Sequence, residues 1–249
     1  MELHAMGRRG FLRTILAAGV APYALVQGGP AFAQRSGPVR ADVGWLDGAA
    51  PPEGSDGQTW GVAWPQGRVR GTPRFALTGT DGSAVPVQSW ATAFWPDGSV
   101  KWTAHATPGG AALQAGYQLS PGRAAAPPAP VTVREAADVI EVTSGPLRWE
   151  IGRSGTTLIR SARRGERVLI EDAKLTGEAR VGSPDGERVV FGCAIDRAVI
   201  EQRGPVRAVV RIEGHHLAQG RAVLPFTVRL YAYAGSEALR VVHSFVYDV

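Results

Sequence analysis

Gln58–Trp102 reads QTWGVAWPQGRVRGTPRFALTGTDGSAVPVQSWATAFWPDGSVKW and holds five of the chain's seven tryptophans. It also contains the same turn twice, as Asp81-Gly82-Ser83 and as Asp97-Gly98-Ser99. Glycine in such a turn supplies the positive φ that a tight hairpin needs, and aspartate accepts hydrogen bonds from the backbone that follows it. This stretch therefore predicts short antiparallel strands.

The two turns also predict which strands pair. Pro96 presets φ for a type I turn, so the second turn pairs Val87–Trp95 with Ser99–Ala106. The first turn joins Arg74–Thr78 to Ala84–Gln88, which together predicts a three-stranded antiparallel meander. Large aromatics alternate onto both faces of the middle strand, and this favours a barrel or a sheet covered on both sides.

The tryptophans have two interpretations. Stacked on sugar rings, they would form a carbohydrate-binding platform; packed inside, they would form core. Core is the better expectation, because burying a tryptophan removes a large apolar area from water. Trp60 and Trp64 are the exceptions, since they lie beside Pro65 in a predicted loop and can stay exposed.

The N terminus is a targeting segment. Arg8 and Arg9, followed by Phe-Leu-Arg, are typical of a twin-arginine signal, and cleavage after Ala33 predicts Gln34 as the new N terminus. A membrane anchor is the alternative, but Thr14–Val26 is shorter than the about 20 apolar residues that span a bilayer. We expect the Tat translocase as a partner during export, a periplasmic or secreted location, and no stable membrane anchor.

Composition excludes several classes of function. Cys193 is the only cysteine, so no intrachain disulfide can form, and a small buried apolar role is expected for it. Arginine supplies 25 of the 27 basic residues and is spread without clusters. No basic stripe or recognition motif supports nucleic-acid binding, whereas a general attraction for acidic polysaccharide stays open.

Composition shifts divide the chain into a signal (1–33), a Trp-rich β-domain (34–119), a Pro/Ala-rich linker (120–130) and a second β-domain (131–249). Little outside the signal reads as helix. In the second domain, alternating or apolar runs separated by turn residues predict ten strands: Val139–Thr143, Leu147–Ile151, Thr157–Ser161, Arg167–Glu171, Ala179–Val181, Arg188–Phe191, Ala194–Gln202, Val206–His215, Val223–Tyr233 and Ala238–Tyr247. Phe245–Val249 is an apolar strand without a polar tail, so a truncated sequence with an open edge is expected.

Several motifs resemble the exo-rhamnogalacturonan lyase family, the PcRGLX/YetA-like proteins. Three resemble the N-terminal domain of that family: Gln58–Gly67, Pro86–Trp90 and Phe94–Trp102. Three more resemble the start of its central sandwich: Ser144–Arg148, Arg203–Arg207 and Val242–Phe245. The resemblance covers most of Asp42–Asp248 and implies an all-β chain. A small RIFT-type β-barrel would be followed by an antiparallel β-sandwich, incomplete here, and in the family a helical α/α toroid comes last.

The resemblance implies β-elimination on a pectin-type backbone of alternating rhamnose and galacturonate. Such lyases neutralise the uronate carboxylate with arginine or a cation, and a side-chain base removes the C5 proton. The toroid, which is expected to carry most of the catalytic machinery, has no counterpart here. The chain is therefore expected to be the non-catalytic N-terminal portion of an exported polysaccharide lyase, with no cofactor of its own. The resemblance leaves open a divalent cation such as calcium in the full-length enzyme.

Two other functions stay open on the sequence. A stand-alone carbohydrate-binding envelope protein would use the tryptophan cluster without catalysis. A purely structural all-β envelope protein would bind no sugar at all. Sugar-dependent quenching of tryptophan fluorescence would separate these two alternatives.

Residue spacing places no active site, so the catalytic residues stay unknown. The candidates for contact with an acidic pectin-type substrate lie in the Trp-rich stretch: Trp60, Trp64, Trp90, Lys101 and His105. For His105 an ordinary surface position is the better expectation, and contact with substrate is the alternative.

The sequence predicts no metal site. His215 and His216 are adjacent on a strand and point to opposite faces, so they do not bind one metal together; a polar strand end is expected instead. Asp47, Glu53 and Asp56 lack the spacing of an EF-hand, which favours a solvated loop over a calcium site.

Overall fold

The computed structural model describes residues 37–46, 48, 50, 56–110, 113–180 and 182–247. Within these ranges it contains seventeen β-strands and no helix, so the all-β expectation is confirmed. Consequently, this part of the chain has no helix long and apolar enough to cross a bilayer. The twin-arginine motif and the cleavage site at Ala33 lie outside the described residues, as do Asp47 and Glu53.

The first seven strands enclose a small core. They are β1 (Ala41–Gly44), β2 (Thr59–Ala63), β3 (Phe75–Gly79), β4 (Ala84–Val85), β5 (Gln88–Phe94), β6 (Val100–Ala106) and β7 (Gly116–Pro121). One sheet has the order β1-β7-β3-β4 and the other the order β2-β6-β5. Both sheets contribute to one apolar cluster: Trp64, Val69, Phe75, Leu77, Val87, Val100 and Leu119. This is the small barrel that was predicted.

The predicted three-stranded meander is wrong, because its middle strand is divided between the two sheets. β4 pairs with β3 through Val85 and Leu77, whereas β5 pairs with β6. Pro86 stands between β4 and β5 and has no N–H to donate to a ladder. The chain passes from one sheet to the other at this proline.

The predicted loop around Trp60 is also wrong, because Thr59–Ala63 is the strand β2. It pairs antiparallel with β6, from Thr59 opposite Ala106 to Ala63 opposite Trp102. Pro65 suggested a loop, but it lies beyond the end of the ladder, where a missing N–H does no harm.

The second Asp-Gly-Ser turn has the geometry that its sequence predicts. Gly98 has a φ of +76°, which a residue with a Cβ rarely adopts. Oδ1 of Asp97 accepts the backbone N–H of Ser99 at 3.0 Å. Hydrogen bonds from the side chain and backbone of Ser99 hold the pKa of Asp97 below its ordinary value.

The remaining strands form a sandwich of two five-stranded antiparallel sheets. They are β8 (Thr132–Glu135), β9 (Val139–Ser144), β10 (Leu147–Gly152), β11 (Ile159–Arg164), β12 (Arg167–Ala173), β13 (Gly177–Arg180), β14 (Arg188–Gln202), β15 (Arg207–Ala218), β16 (Arg221–Tyr233) and β17 (Leu239–Phe245). The sheet orders are β12-β11-β10-β9-β8 and β13-β14-β15-β16-β17.

The inner faces of the two sheets share one core, as period-2 patterning requires. In β15, Ala208, Val210 and Ile212 are buried on the core side. Each strand predicted after residue 131 overlaps an observed strand, and two predicted strands merge into the 15-residue β14. Cys193 of β14 is 2% exposed, so its expected burial is confirmed, and burial raises its pKa.

Candidate functional site

A partly enclosed pocket of about 150 Å³ lies at one end of the barrel, where β1 and β6 end and β2 and β7 begin. Its lining is mostly apolar: Val43, Gly44, Trp45, Leu46, Gln58, Thr59, Trp60, Thr107, Leu113 and Tyr117. These lining residues include no lysine, arginine, histidine, aspartate or glutamate. The pocket therefore combines aromatic and aliphatic walls with a few neutral polar groups.

Trp45 and Tyr117 form two walls of this pocket that are nearly perpendicular. Their ring centroids are 6.5 Å apart and their planes meet at 73°. Nε1 of Trp45 donates to the carbonyl of Gln114 at 2.7 Å, and the N–H of Gln114 donates to the Tyr117 hydroxyl at 2.9 Å. Both rings are thus fixed by the backbone of one residue.

Trp60 forms a third wall and connects the pocket to the barrel interior. Its ring stacks on that of His105, with centroids 5.7 Å apart and planes at 28°. Its Nε1 is buried and has no hydrogen-bond partner in the described part of the chain. An unsatisfied buried donor costs about 1–3 kcal/mol. The packing of the Trp60 ring on His105 must offset this cost, because no hydrogen bond from the described residues holds the indole.

His105 lies inside the barrel and is fully buried. Its Nδ1 is 2.8 Å from Oγ of Ser89, and its Nε2 is 2.7 Å from Oγ1 of Thr103. Thr103 Oγ1 in turn accepts the indole N–H of Trp64 at 2.8 Å. Burial lowers the pKa of His105 to about 4, so the imidazole is neutral at neutral pH.

The expected exposure of Trp64 is wrong, and so is the surface position expected for His105. Trp64 is 5% exposed and stacks on Phe75 with ring centroids 5.2 Å apart. Its backbone N–H still donates to the carbonyl of Lys101 at 2.9 Å, so it continues the inward alternation of β2. Neither ring offers a surface to a sugar.

Lys101 and Trp90 lie away from the pocket. Nζ of Lys101 stands 4.6 Å from the ring centroid of Trp95, and Trp90 is half-buried where the barrel meets the sandwich. Of the five substrate-contact candidates, Trp60 alone is among the residues that line the pocket.

Arg207 of β15 joins the sandwich to the barrel. Its side chain is buried, and its guanidinium carbon lies 4.3 Å from the ring centroid of Trp90 and 5.5 Å from that of Tyr231. Nε and Nη2 donate to Oε1 of Gln202 at 2.9 and 2.6 Å, and Nη1 donates to Oγ1 of Thr59 at 3.0 Å. These hydrogen-bond partners are all neutral.

Further hydrogen bonds reinforce this junction. Oε1 of Gln88 accepts the backbone N–H of Val206 at 3.1 Å and that of Arg207 at 2.9 Å. The N–H of Gly109 donates to the carbonyl of Ala234 at 2.8 Å. The barrel and the sandwich lie in one compact unit.

His215 and His216 point to opposite sides of their sheet, as predicted. Nδ1 of His215 is 3.2 Å from Oδ2 of Asp196, on the outer side. The polar strand end expected for His216 is wrong, because this residue is 3% exposed and packs against Phe191 and Phe226. Within the described ranges no group of three or more His, Cys, Asp or Glu could hold a metal ion.

Trp45, Leu113 and Tyr117 are pocket residues that the sequence analysis missed. Trp45 follows β1 in a Gly- and Pro-rich segment, and Tyr117 belongs to a short strand remote in sequence. The pairing of Val43 with Tyr117 brings these segments together. Only this non-local contact identifies the pocket, because no local motif marks it.

Two family models match the chain. The PcRGLX-like N-terminal RIFT barrel domain matches residues 39–122, and the PcRGLX-like protein central β-sandwich domain matches residues 131–249. The matches follow the two groups of strands described above.

A curated relative gives the same result. The chain is 33% identical to the uncharacterized protein YetA of Bacillus subtilis (strain 168) over 216 residues. The match covers 83% of this chain and 25% of YetA, so the chain spans about a quarter of the length of that relative.

Proposed function

This chain belongs to the PcRGLX-like protein family, and we propose that it is the non-catalytic barrel and sandwich portion of an exported polysaccharide lyase. The substrate class is rhamnogalacturonan-type pectin, and the reaction is β-elimination. The observation that carries the proposal is the match to both domains of the family, in order, along the chain.

The junction around Arg207 supports a role as a rigid platform. A buried guanidinium, two aromatic rings and several hydrogen bonds fix the barrel on the sandwich. A support of this kind holds one wall of a substrate cleft at a constant distance from a catalytic domain. Loose tethering would not provide that geometry.

The chemistry of the pocket agrees with binding rather than elimination. β-Elimination needs a base within hydrogen-bond reach of the C5 proton and a positive charge near the uronate carboxylate. The polar groups that line the pocket come from Gln58, Thr59, Thr107 and Tyr117. Amide and hydroxyl groups of this type position sugars, and the base belongs to another part of the enzyme.

Two parallel incubations test the proposal. The chain alone and YetA are each incubated with rhamnogalacturonan, and release of unsaturated uronate is followed by ultraviolet absorbance. We expect YetA to release product and the chain alone to release none. Product from the chain alone would refute the non-catalytic assignment. An inactive YetA would refute the lyase assignment.

Export by the twin-arginine route is a separate part of the proposal and rests on sequence. The protein recovered from the periplasm or the medium should begin at Gln34. Replacing Arg8 and Arg9 together by lysine should retain the uncleaved chain in the cytoplasm. Unchanged export of that variant would contradict the twin-arginine route.

A stand-alone carbohydrate-binding protein is the second candidate, and the aromatic pocket favours it. It predicts that the chain binds pectin oligosaccharides while neither the chain nor YetA cleaves them. Lyase activity in YetA would decide for the first candidate, because the shared domains would then accompany catalysis.

A further inference from the structure

We propose that the pocket between Trp45, Trp60 and Tyr117 binds a single neutral pyranose ring. We further propose that it prefers a 6-deoxyhexose to the hexose or hexuronate with the same ring configuration. The sugar class rests on the proposed polysaccharide function, whereas the preference at C6 follows from the lining of the pocket.

The size of the pocket limits the ligand to one ring. Its volume is about 150 Å³. A protein cavity of about that size accommodates a benzene-sized ring, whereas drug-sized ligands occupy about 300–1,000 Å³. One sugar residue therefore enters, and its neighbours along a chain stay in solvent.

The aromatic walls suit the apolar face of a pyranose. Trp45 and Tyr117 present two surfaces at 73°, and both are held by the Gln114 backbone. Trp60 is backed by the buried ring of His105. Rings fixed in this way lose little conformational entropy when a C–H face packs against them, and so they favour binding.

The lining also decides what the ring may carry at C6. Val43, Leu46 and Leu113 are aliphatic, and they favour a methyl group. A hydroxymethyl group would lose hydrogen bonds to water, and a carboxylate would lose far more, because none of the described residues that line the pocket carries a charge. Oγ1 of Thr59 accepts a hydrogen bond from the guanidinium of Arg207. That guanidinium is already engaged by Gln202 and Thr59, so it does not serve as a partner for a carboxylate in the pocket.

A few polar groups are placed to orient the ring. Gln58, Thr59 and Thr107 lie together along the pocket. The backbone N–H of Thr107 donates to the carbonyl of Gln58 at 3.0 Å, which fixes these two residues beside each other. Polar groups that stand in fixed positions select one orientation of a bound sugar.

Three sugars that differ only at C6 test the preference: D-fucose, D-galactose and D-galacturonate. Each is titrated into the ¹⁵N-labelled chain while the indole N–H signals of the tryptophans are followed. We expect saturable shifts at Trp45 and Trp60, and none at Trp102, which lies outside the pocket. D-fucose should bind at least about tenfold more tightly than D-galacturonate, with D-galactose between them.

Two matched variants locate the site without disturbing the fold. Leu46 is fully exposed at the pocket, so Leu46→Glu should leave stability unchanged and weaken D-fucose binding at least about tenfold. Val190→Glu adds the same charge at an exposed apolar position of β14 and should leave binding unchanged.

Three results would overturn the proposal: no indole shift with any of the sugars, binding of D-galacturonate as tight as that of D-fucose, or undiminished binding in Leu46→Glu. None of them bears on the lyase assignment, which the incubations with YetA test separately. Conversely, YetA could prove inactive while D-fucose binds at Trp45 and Trp60. That pair of results would refute the lyase assignment and support the pocket as a sugar-binding site.

Discussion

The guanidinium of Arg207 lies 4.3 Å from the ring centroid of Trp90, and this contact joins the sandwich to the barrel. The same group donates to Thr59 on the barrel and to Gln202 on the sandwich. A desolvated cation over an aromatic ring contributes about 2 kcal/mol, and hydrogen bonds to a charged group contribute about 1.5–3 kcal/mol. One side chain thus couples two domains energetically.

Removal of this side chain should loosen the two domains. Arg207→Ala deletes the ring contact and leaves Gln202 and Thr59 without their donor. We expect a loss of about 2–4 kcal/mol in the free energy of unfolding, measured by urea denaturation. Unfolding should also separate into two transitions, because each domain keeps its own core.

Arg240 provides the control for this variant. Its guanidinium carbon lies 5.9 Å from the Tyr231 ring centroid, but the side chain is exposed. Arg240→Ala should change the free energy of unfolding by less than about 0.5 kcal/mol. Equal effects of the two substitutions would show that burial of Arg207 does not couple the domains.

A double-mutant cycle isolates the contact between Arg207 and Trp90. Arg207→Lys keeps the charge but loses the planar fork, and Trp90→Leu removes the ring. The effects of the two changes should be non-additive by about 1–2 kcal/mol in urea unfolding. Additive effects would mean that the ring and the guanidinium are neighbours without mutual stabilisation.

Gly235 is a second test of the junction. It has a φ of +75°, and a Cβ added there would lie 2.4 Å from the carbonyl oxygen of Gly109. Gly155 has a φ of +83° with nothing within 4 Å of its added Cβ. Alanine at this position therefore measures only the cost of a positive φ, without a steric clash. Gly155→Ala should lower the free energy of unfolding by about 1–2 kcal/mol, and Gly235→Ala should lower it clearly more. Thermal denaturation of the two variants measures both effects. Equal costs would indicate that the junction yields freely at this point.

His105 makes the stability of the barrel depend on pH. Its pKa is lowered from 6.5 to about 4 in the folded chain. As pH falls from 6.5 towards 4, the unfolded chain takes up a proton that the folded chain does not, so stability decreases through this window. The loss amounts to at most about 3 kcal/mol and stops growing once the folded imidazole is also protonated.

Urea midpoints at the two ends of this window measure the effect. His105→Gln should lower stability at neutral pH, because the contacts to Ser89 and Thr103 are altered, and should flatten the dependence on pH. If His105→Gln retained the slope of the unmodified chain, other groups would be responsible for it.

Local signals in the sequence predicted local structure well. The turn at Asp97-Gly98 determines its own hairpin, because the aspartate and the glycine satisfy the backbone within a few residues. The strands of the sandwich follow from alternation over long segments, as in β15. Such features depend on neighbours in sequence, so one chain is sufficient to find them.

Features that depend on distant segments could not be predicted in this way. Pro86 redirects the chain between two sheets, and the pairing of β1 with β7 creates the pocket. Arg207 looked like any other evenly spread arginine, although it is 7% exposed between two rings. Periodicity indicates which residues share a face; it does not indicate which element covers that face.

A crystal structure of the chain grown with a rhamnogalacturonan oligosaccharide gives the most direct test of sugar recognition by the barrel. We predict density for one 6-deoxyhexose residue between Trp45, Trp60 and Tyr117, with its methyl group towards Leu46 and Leu113 and the adjoining uronate in solvent. A uronate in the pocket, or an oligosaccharide bound at Trp90 with the pocket empty, would contradict the assignment.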